Sequence, residues 1–183
     1  MDAGDAINSE RLELVLLTPD LMEALVAGRR GEAAARMGTR IPEDWPDAHD
    51  ESFFRFRLAQ VARVPADEPW LVRAVVLPEP VRTLIGHAGF HGAPGINGPG
   101  KAAALELGYT VFPPFRGHGY ATEAASALMR WARAHHGIRH FIASVAPENA
   151  PSLAIVSKLG FVQTGEQWDD EDGLELVFER TLE

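Results

Sequence analysis

The chain contains no cysteine among its 183 residues. That absence excludes disulfides, thiolate metal sites and cysteine nucleophiles together. It also lacks any apolar run approaching the ~20 residues that span a bilayer, and its acidic start, Met1-Asp2-Ala3-Gly4-Asp5, has neither the basic nor the apolar region of a secretory leader. Basic charge is scarce, with 17 Lys and Arg against 26 Asp and Glu and a formal net charge of -9. Such a balance leaves no footprint for nucleic acid and repels an anionic membrane surface, so a neutral or cationic partner fits better. The expectation is a soluble cytoplasmic protein. Metal spacings are missing too: seven histidines occur, but none forms H-x-x-x-H on a helix or H-E-x-x-H, and the adjacent His135 and His136 diverge around a helix. No metal site is expected.

What is present is enough apolar residue, 46%, for one sizeable core, so residues 1–183 are read as a single domain. Leu12, Leu14 and Leu16 alternate as a half-buried strand should. Thr18-Pro19-Asp20 reads as a capped helix start, with helical spacing to Ala35 and a weak middle at Gly28 and Gly31. Asp50 to Val64 is a second helix, ending before Pro65. Trp70 to Leu77 and Arg82 to Phe90 form a hairpin, Gly92 to Gly100 a loop, and Ala103 to Phe112 a strand stopped by Pro113-Pro114. Ala121, Ala124, Ala125, Leu128 and Ala132 line one face of a helix from Gly119 to His136, with Glu123 near its start and Arg133 near its end. A short strand (Phe141 to Val145), a helix (Ala150 to Leu159) and a final hairpin (Phe161 to Trp168 with Leu174 to Phe178) complete a mixed α/β chain.

The most informative stretch is Arg116-Gly117-His118-Gly119-Tyr120-Ala121-Thr122-Glu123-Ala124, between a strand and a helix. Two glycines permit positive φ and close backbone approach, and the helix start supplies unpaired N–H groups and positive dipole, so the stretch can cradle an anion. A glycine pair before a helix also serves plain tight turns. A Walker-type loop would need Lys-Ser/Thr after the second glycine, where Tyr120-Ala121 stand. A dinucleotide loop would need a third glycine and an acid about 20 residues on, where Arg139-His140 stand.

The strand Leu105-Glu106-Leu107-Gly108-Tyr109-Thr110-Val111 followed by Arg116-Gly117-His118-Gly119-Tyr120-Ala121 resembles the acyl-CoA motif of the GNAT superfamily of N-acetyltransferases. Its pattern Arg/Gln-x-x-Gly-x-Gly/Ala is met by Arg116, Gly119 and Ala121. A second block, Pro147-Glu148-Asn149-Ala150-Pro151-Ser152 with Lys158-Leu159-Gly160-Phe161, is similar to the family's later Asn-x-x-Ser and Lys-x-Gly-Phe segment. The wording Gly-Tyr-Ala-Thr-Glu-Ala is most similar to the subgroup that acetylates protein N-termini, above all of ribosomal proteins. The resemblance spans residues 10 to 181.

It implies a GNAT fold: a central, mostly antiparallel mixed sheet of six to seven strands, splayed at its centre and flanked by four helices. It implies acetyl-CoA as acyl donor, held by Gly117, His118, Gly119, Tyr120, Ala121 and Thr122 with Arg116, while the pantetheine arm runs along Tyr109 to Val111 and Phe141 to Val145. The Val111 N–H is the candidate to polarise the acetyl carbonyl. Glu106 is the candidate base, acting through water, or else a solvated strand carboxylate. Asn149 anchors CoA or caps a helix, and Ser152 protonates the thiolate or bonds within its own first turn. Where relatives carry a tyrosine acid this chain has Val156, and where others carry a glutamate base it has Ser144. The expected reaction is direct attack of a primary amine on acetyl-CoA in a ternary complex. The acceptor is a protein N-terminus, or a small-molecule amine such as an aminoglycoside or polyamine. A non-catalytic CoA-binding sensor and a nucleotide-binding protein are the competing readings, and a homodimer is compatible with the sequence.

Overall fold

A computed structural model describes residues 6–95, 103–169 and 173–183. The acidic start, most of the glycine-rich loop after Gly95 and the tip of the last hairpin lie outside the described residues. Ile7 and Leu14 turn inward, so β1 (Ile7–Asn8) folds back onto β2 (Glu13–Leu16). Helix α1 (Pro19–Val26) buries Leu21, Met22, Ala24 and Leu25. Thr18 does occupy its N-cap position, but the expected hydroxyl cap is not made; the Thr18 carbonyl instead accepts from the N–H groups of Leu21 and Met22. Gly28, at φ 70°, ends this helix, and α2 (Arg30–Met37) starts anew. The weak middle expected at Gly28 and Gly31 is thus a break at Gly28, and the stretch holds two helices.

Helix α3 (Ala48–Arg63) begins on a reciprocal capping box: the Asp50 N–H donates to Asp47 Oδ1 at 2.9 Å and the Asp47 N–H to Asp50 Oδ2 at 3.3 Å. A 3-10 segment, Pro65–Trp70, takes Trp70 out of the expected strand, and β3 (Arg73–Leu77) and β4 (Thr83–Phe90) form the hairpin. Then follow β5 (Ala104–Val111), α4 (Tyr120–His136), β6 (His140–Val145), α5 (Ala150–Lys158), β7 (Val162–Asp169) and β8 (Gly173–Thr181).

The described strands form one eight-stranded sheet, ordered β1-β2-β3-β4-β5-β6-β8-β7 and antiparallel except between β5 and β6. It has one strand more than the upper expectation and a fifth α-helix; the additions are the two-residue β1 and the helix created by the break at Gly28. Each sheet face carries its own core. On one, the alanines of α4 let its axis sit close over Phe90, Leu105, Leu107 and Phe141. On the other, α1, α2 and α3 cover Val72, Ala74, Val76 and Leu84. Phe54, Phe90 and Phe141 are fully buried, each worth ~1.5–3 kcal/mol of hydrophobic stabilisation. No helix among the described residues is long and apolar enough to cross a membrane.

Parallel pairing of β5 with β6 covers only Ala104–Glu106 against His140–Ile142. Beyond that point the strands part. This split in the middle of the sheet positions the site.

Candidate active site

Backbone groups come first. The Phe112 N–H donates to Ile85 and the Glu106 carbonyl accepts from His91, so the even-numbered residues of β5 turn their polar groups toward β4. By strand alternation, Leu107, Tyr109 and Val111 turn theirs toward β6, which has diverged. The Tyr109 and Val111 N–H groups therefore face the split rather than a paired β6 strand.

At the mouth of the split lies a cavity of about 620 Å³. Its walls include Tyr109, Val111, Arg116, Gly117, Gly119, Tyr120, Ala121, Thr122, Asn149 and Ser152, ten of the residues singled out from sequence. Gly117 and Gly119 have φ of 79° and 81°, values that side chains rarely tolerate, so the loop and the first turn of α4 can present consecutive N–H groups to one anion. Two expected residues are not on this wall. The His118 ring turns back, Nδ1 lying 2.8 Å from the Arg116 carbonyl and the ring stacking on Tyr120 at 5.6 Å. Glu106 lies behind the sheet surface and is taken up below.

Some wall residues have structural duties as well. The Arg116 guanidinium donates to the Val111 carbonyl at 2.8 Å, tying the loop to the end of β5. Asn149 Oδ1 accepts from the Ser152 N–H at 3.2 Å, so the helix cap is made and the side chain still borders the cavity. Burial pushes the Tyr109 phenol above its ordinary value, and nearby Ser152 counters part of the effect. Val156 is buried in the core beneath α5, so the position where relatives carry a tyrosine offers no acid here.

Sequence reading gave no role to two cations and missed a strap. Lys158 borders the cavity from the end of α5. Arg11, in the β1–β2 turn, reaches across to α4: its Nε donates to Glu123 Oε2 at 2.7 Å, Nη1 to the His118 carbonyl at 3.1 Å, and its guanidinium lies 4.7 Å from the Tyr120 ring centre. Ser9 and the Arg11 N–H also donate to Glu123, each at 2.7 Å. Partial burial pushes the Glu123 carboxyl up, but these hydrogen bonds outweigh it and hold the group below its ordinary value. No local motif marks this strap, because its members are more than a hundred residues apart.

Two smaller cavities adjoin Tyr109, one of them walled by α3. One, about 150 Å³, lies over Gly89 and Gly108 between Asp50, Phe53, Arg57 and His87. The other, about 340 Å³, occupies the split itself beside Ser144, Asn149, Ser152 and Glu175. His91 borders both. Asp50 Oδ1 lies 3.2 Å from His87 Nε2, and Phe53 stacks on His87 at 5.3 Å. Burial raises the Asp50 carboxyl, yet His87 and the Asp47 N–H bring it net below its ordinary value. Arg57 is buried and pushed down to about 10 by desolvation, against the attraction of Glu106 and Asp67. Glu106 itself is buried; its Oε1 accepts from Ser144 Oγ at 2.6 Å and its Oε2 lies 3.6 Å from His91 Nδ1. The alternative of a solvated strand carboxylate is thereby removed.

Trp45, Trp168 and His140 stand apart from these cavities. Trp45 is buried against Phe54 and Phe112, Trp168 is exposed, and His140 pairs with Glu179 at 2.7 Å. A wider hollow of about 930 Å³ lies between β2 and α1, but it carries Glu13, Asp20 and Glu68, and its arginines 36 and 82 already pair with Asp20 and Glu13. That charge suits no polyphosphate. Among the described residues no group of His, Asp and Glu is arranged to hold a metal ion.

Comparison with known proteins agrees with this geometry. The chain is 30% identical over 97 residues to the uncharacterized N-acetyltransferase YnaD of Bacillus subtilis, a match covering 48% of this chain and 54% of that protein, about half the length of each. Its fold is similar to that of a ribosomal-protein-alanine acetyltransferase from Vibrio fischeri, with TM-score 0.65, 15% identity and 96% of both chains covered. It is also similar to a ribosomal alpha-N-protein acetyltransferase solved in complex with coenzyme A, with TM-score 0.64, 19% identity and 97% and 98% of the two chains covered. Residues 11–162 match the Acetyltransferase (GNAT) domain family, a stretch containing the glycine cradle, the split between β5 and β6 and the cap at Asn149: the chain belongs to the GNAT acetyltransferases.

Proposed function

We propose that this protein is an acetyl-CoA-dependent N-acetyltransferase whose acceptor is a primary amine, with a protein N-terminus as the favoured class. One observation carries the reading: β5 and β6 separate after Glu106 and Ile142, and Tyr109 at the separation borders the glycine-cradle cavity and both smaller cavities. The donor supplies an activated acetyl thioester; everything else is the chain's work. The N–H groups of Gly117 to Thr122, the α4 dipole, Arg116 and Lys158 fit a pyrophosphate despite the acidic net charge. The Tyr109 and Val111 N–H groups fit the polar arm as a neighbouring strand would, and pairing that leaves the Val111 N–H facing the split supports it as the donor that polarises the acetyl carbonyl. Ser152 lines both the donor cavity and the cavity in the split, which supports it as the proton donor to the departing thiolate.

Acceptor preference for a protein N-terminus is supported by the ribosomal-protein acetyltransferases among the structural neighbours and by Asp50 on the wall of the smaller cavity, whose carboxylate attracts an ammonium. The test is calorimetric titration with acetyl-CoA together with a thiol-release assay. The acceptors are a peptide beginning with serine, one beginning with alanine, spermidine and an aminoglycoside. The expected result is one-site binding and release that depends on a peptide acceptor. Binding with no acceptor-dependent release would leave a CoA-binding module; displacement of CoA by ATP or NAD would point to a nucleotide site.

A further inference from the structure

The acceptor side places several titratable groups near the open end of β5, but they differ in what a substrate could reach. Glu106 is sealed: its side chain is 4% exposed, Ser144 occupies Oε1, and it borders none of the three cavities around the site. His87 is recessed as well, with 11% side-chain exposure, its Nε2 against Asp50 and its ring under Phe53. His91 is different. Its side chain is 37% exposed, it borders both acceptor cavities, and its Nδ1 stands 3.6 Å from the buried Glu106 Oε2.

The fold fixes His91 in that place. Its N–H donates to the Glu106 carbonyl at 2.9 Å, and its carbonyl accepts from Arg57 at 2.8 Å and Gln60 at 3.2 Å. The ring lies over Gly108, where an added Cβ would come within 3.0 Å of Nε2. A side chain at position 108 would therefore push against the imidazole. Gly108 directly precedes Tyr109, which borders the donor cavity as well as both acceptor cavities.

Building on the acetyltransferase reading, we infer that His91 takes the proton from the acceptor amine, with Glu106 as the buried carboxylate that positions the imidazole. The acceptor arrives as R–NH3+. One N–H bond breaks and its proton passes to His91. The freed lone pair forms a C–N bond to the thioester carbonyl carbon, the C–S bond breaks with its electron pair on sulfur, and the nitrogen loses a second proton, which ends on the thiolate. His91 then returns its proton to water, so an ammonium and a thioester become an amide, a thiol and one proton.

The charged groups around His91 come from each packed element: Glu106 on β5, Arg57 on α3, Asp169 on β7, and Glu175 on β8 across the split. His87 with Asp50 stands on the far wall of the smaller cavity. Burial pushes the imidazole down, Glu106 draws it up, Arg57 pushes it down and Asp169 draws it up; the net direction is below its ordinary value. His91 is accordingly neutral near pH 7 and able to accept a proton.

The test has two arms. In the first, full-length protein labelled with 15N-histidine is titrated by NMR with CoA bound, the His91 signals being assigned by their loss in His91→Gln. The expected pKa lies below the ordinary ~6.5 and falls further in Glu106→Gln, because a carboxylate that favoured the charged ring is gone. In the second arm, kcat and KM are followed against pH with whichever panel amine gives thiol release. His91→Gln is expected to lower kcat about 100-fold or more, to leave acetyl-CoA affinity unchanged and to erase the acid limb; imidazole is expected to restore part of the rate in His91→Ala. A His91→Gln protein that binds CoA normally and keeps both rate and acid limb overturns the inference. If no amine releases thiol from the unaltered protein, the acetyltransferase reading fails separately, and the NMR arm decides this one: an imidazole unmoved by Glu106→Gln contradicts the pairing with Glu106.

Discussion

The face covered by α4 and α5 and the face covered by α1 to α3 are built from different materials. On the first, the donor cavity is made largely of backbone: N–H groups from Gly117 to Thr122, the strand edge at Tyr109 and Val111, and small or apolar side chains. On the second, the cavity beside α3 is walled by charged side chains that had to be buried and partnered, Asp50 with His87 and Arg57 with the His91 carbonyl, while Asp67 with Gln60 and Glu106 with Ser144 are partnered in the same way outside its walls. A backbone site needs only particular φ values at a few positions. A site of buried charges needs every partner in place, since a lone one would cost several kcal/mol.

The two sides should therefore break differently. The largest expected effect on binding is on the donor side: Gly119→Val puts a β-branched residue at φ 81°, a strain of ~1–3 kcal/mol that should weaken CoA binding by about 10- to 100-fold. Calorimetry with CoA checks it, and near-normal affinity would reduce the loop to a turn. Next comes Asp50→Asn on the acceptor side, which removes the charge facing His87 and weakens the capping box, lowering stability by ~1–2 kcal/mol while CoA affinity stays unchanged. The Asp50 carboxyl is held below its ordinary 3.8, so its contribution is full above that value and is lost as pH falls through the lower folded-state value. Thermal melts of the two proteins should accordingly converge toward the acid end. The smallest effect is expected from Glu123→Gln, which loosens the strap from Ser9 and Arg11. Arg11 is 44% exposed, so the loss is held to ~1 kcal/mol at most, read as a few-fold drop in CoA affinity that also develops in the unaltered protein as acid protonates Glu123.

The same contrast explains what could be read from the residues alone. The cradle was legible because its requirements are contiguous: two glycines, a helix start and no competing phosphate-loop residues, all within Arg116 to Thr122. Asn149 was legible as both cap and wall because one side chain near one helix start can do both. His91, Arg57 and Asp50 were not. They lie on β4's end and on α3, elements whose face toward the sheet is fixed only by tertiary packing, and α3 buries Arg57 and Asp50 along the same face as Phe54 and Val61. Nothing in local spacing tells a buried arginine from a solvated one. Glu106 was correctly placed on the strand leading to the cradle, but its enclosure depends on Ser144 and His91, 38 residues after it and 15 before it, brought together by sheet order. The eighth strand was missed for a simpler reason, its shortness: a two-residue strand has no period to detect; the fifth helix was legible only as a weak point at Gly28, because a glycine inside a helical pattern is compatible with either continuation or a break.

A crystal structure with CoA bound decides whether the split between β5 and β6 receives the donor. Pyrophosphate oxygens are expected within about 3 Å of N–H groups between Gly117 and Thr122, the arm of the cofactor along Tyr109 and Val111 where β5 has left β6, and the thiol near Ser152 on the side toward His91. CoA seated in the hollow between β2 and α1, or resting on the surface without entering the split, would contradict that placement.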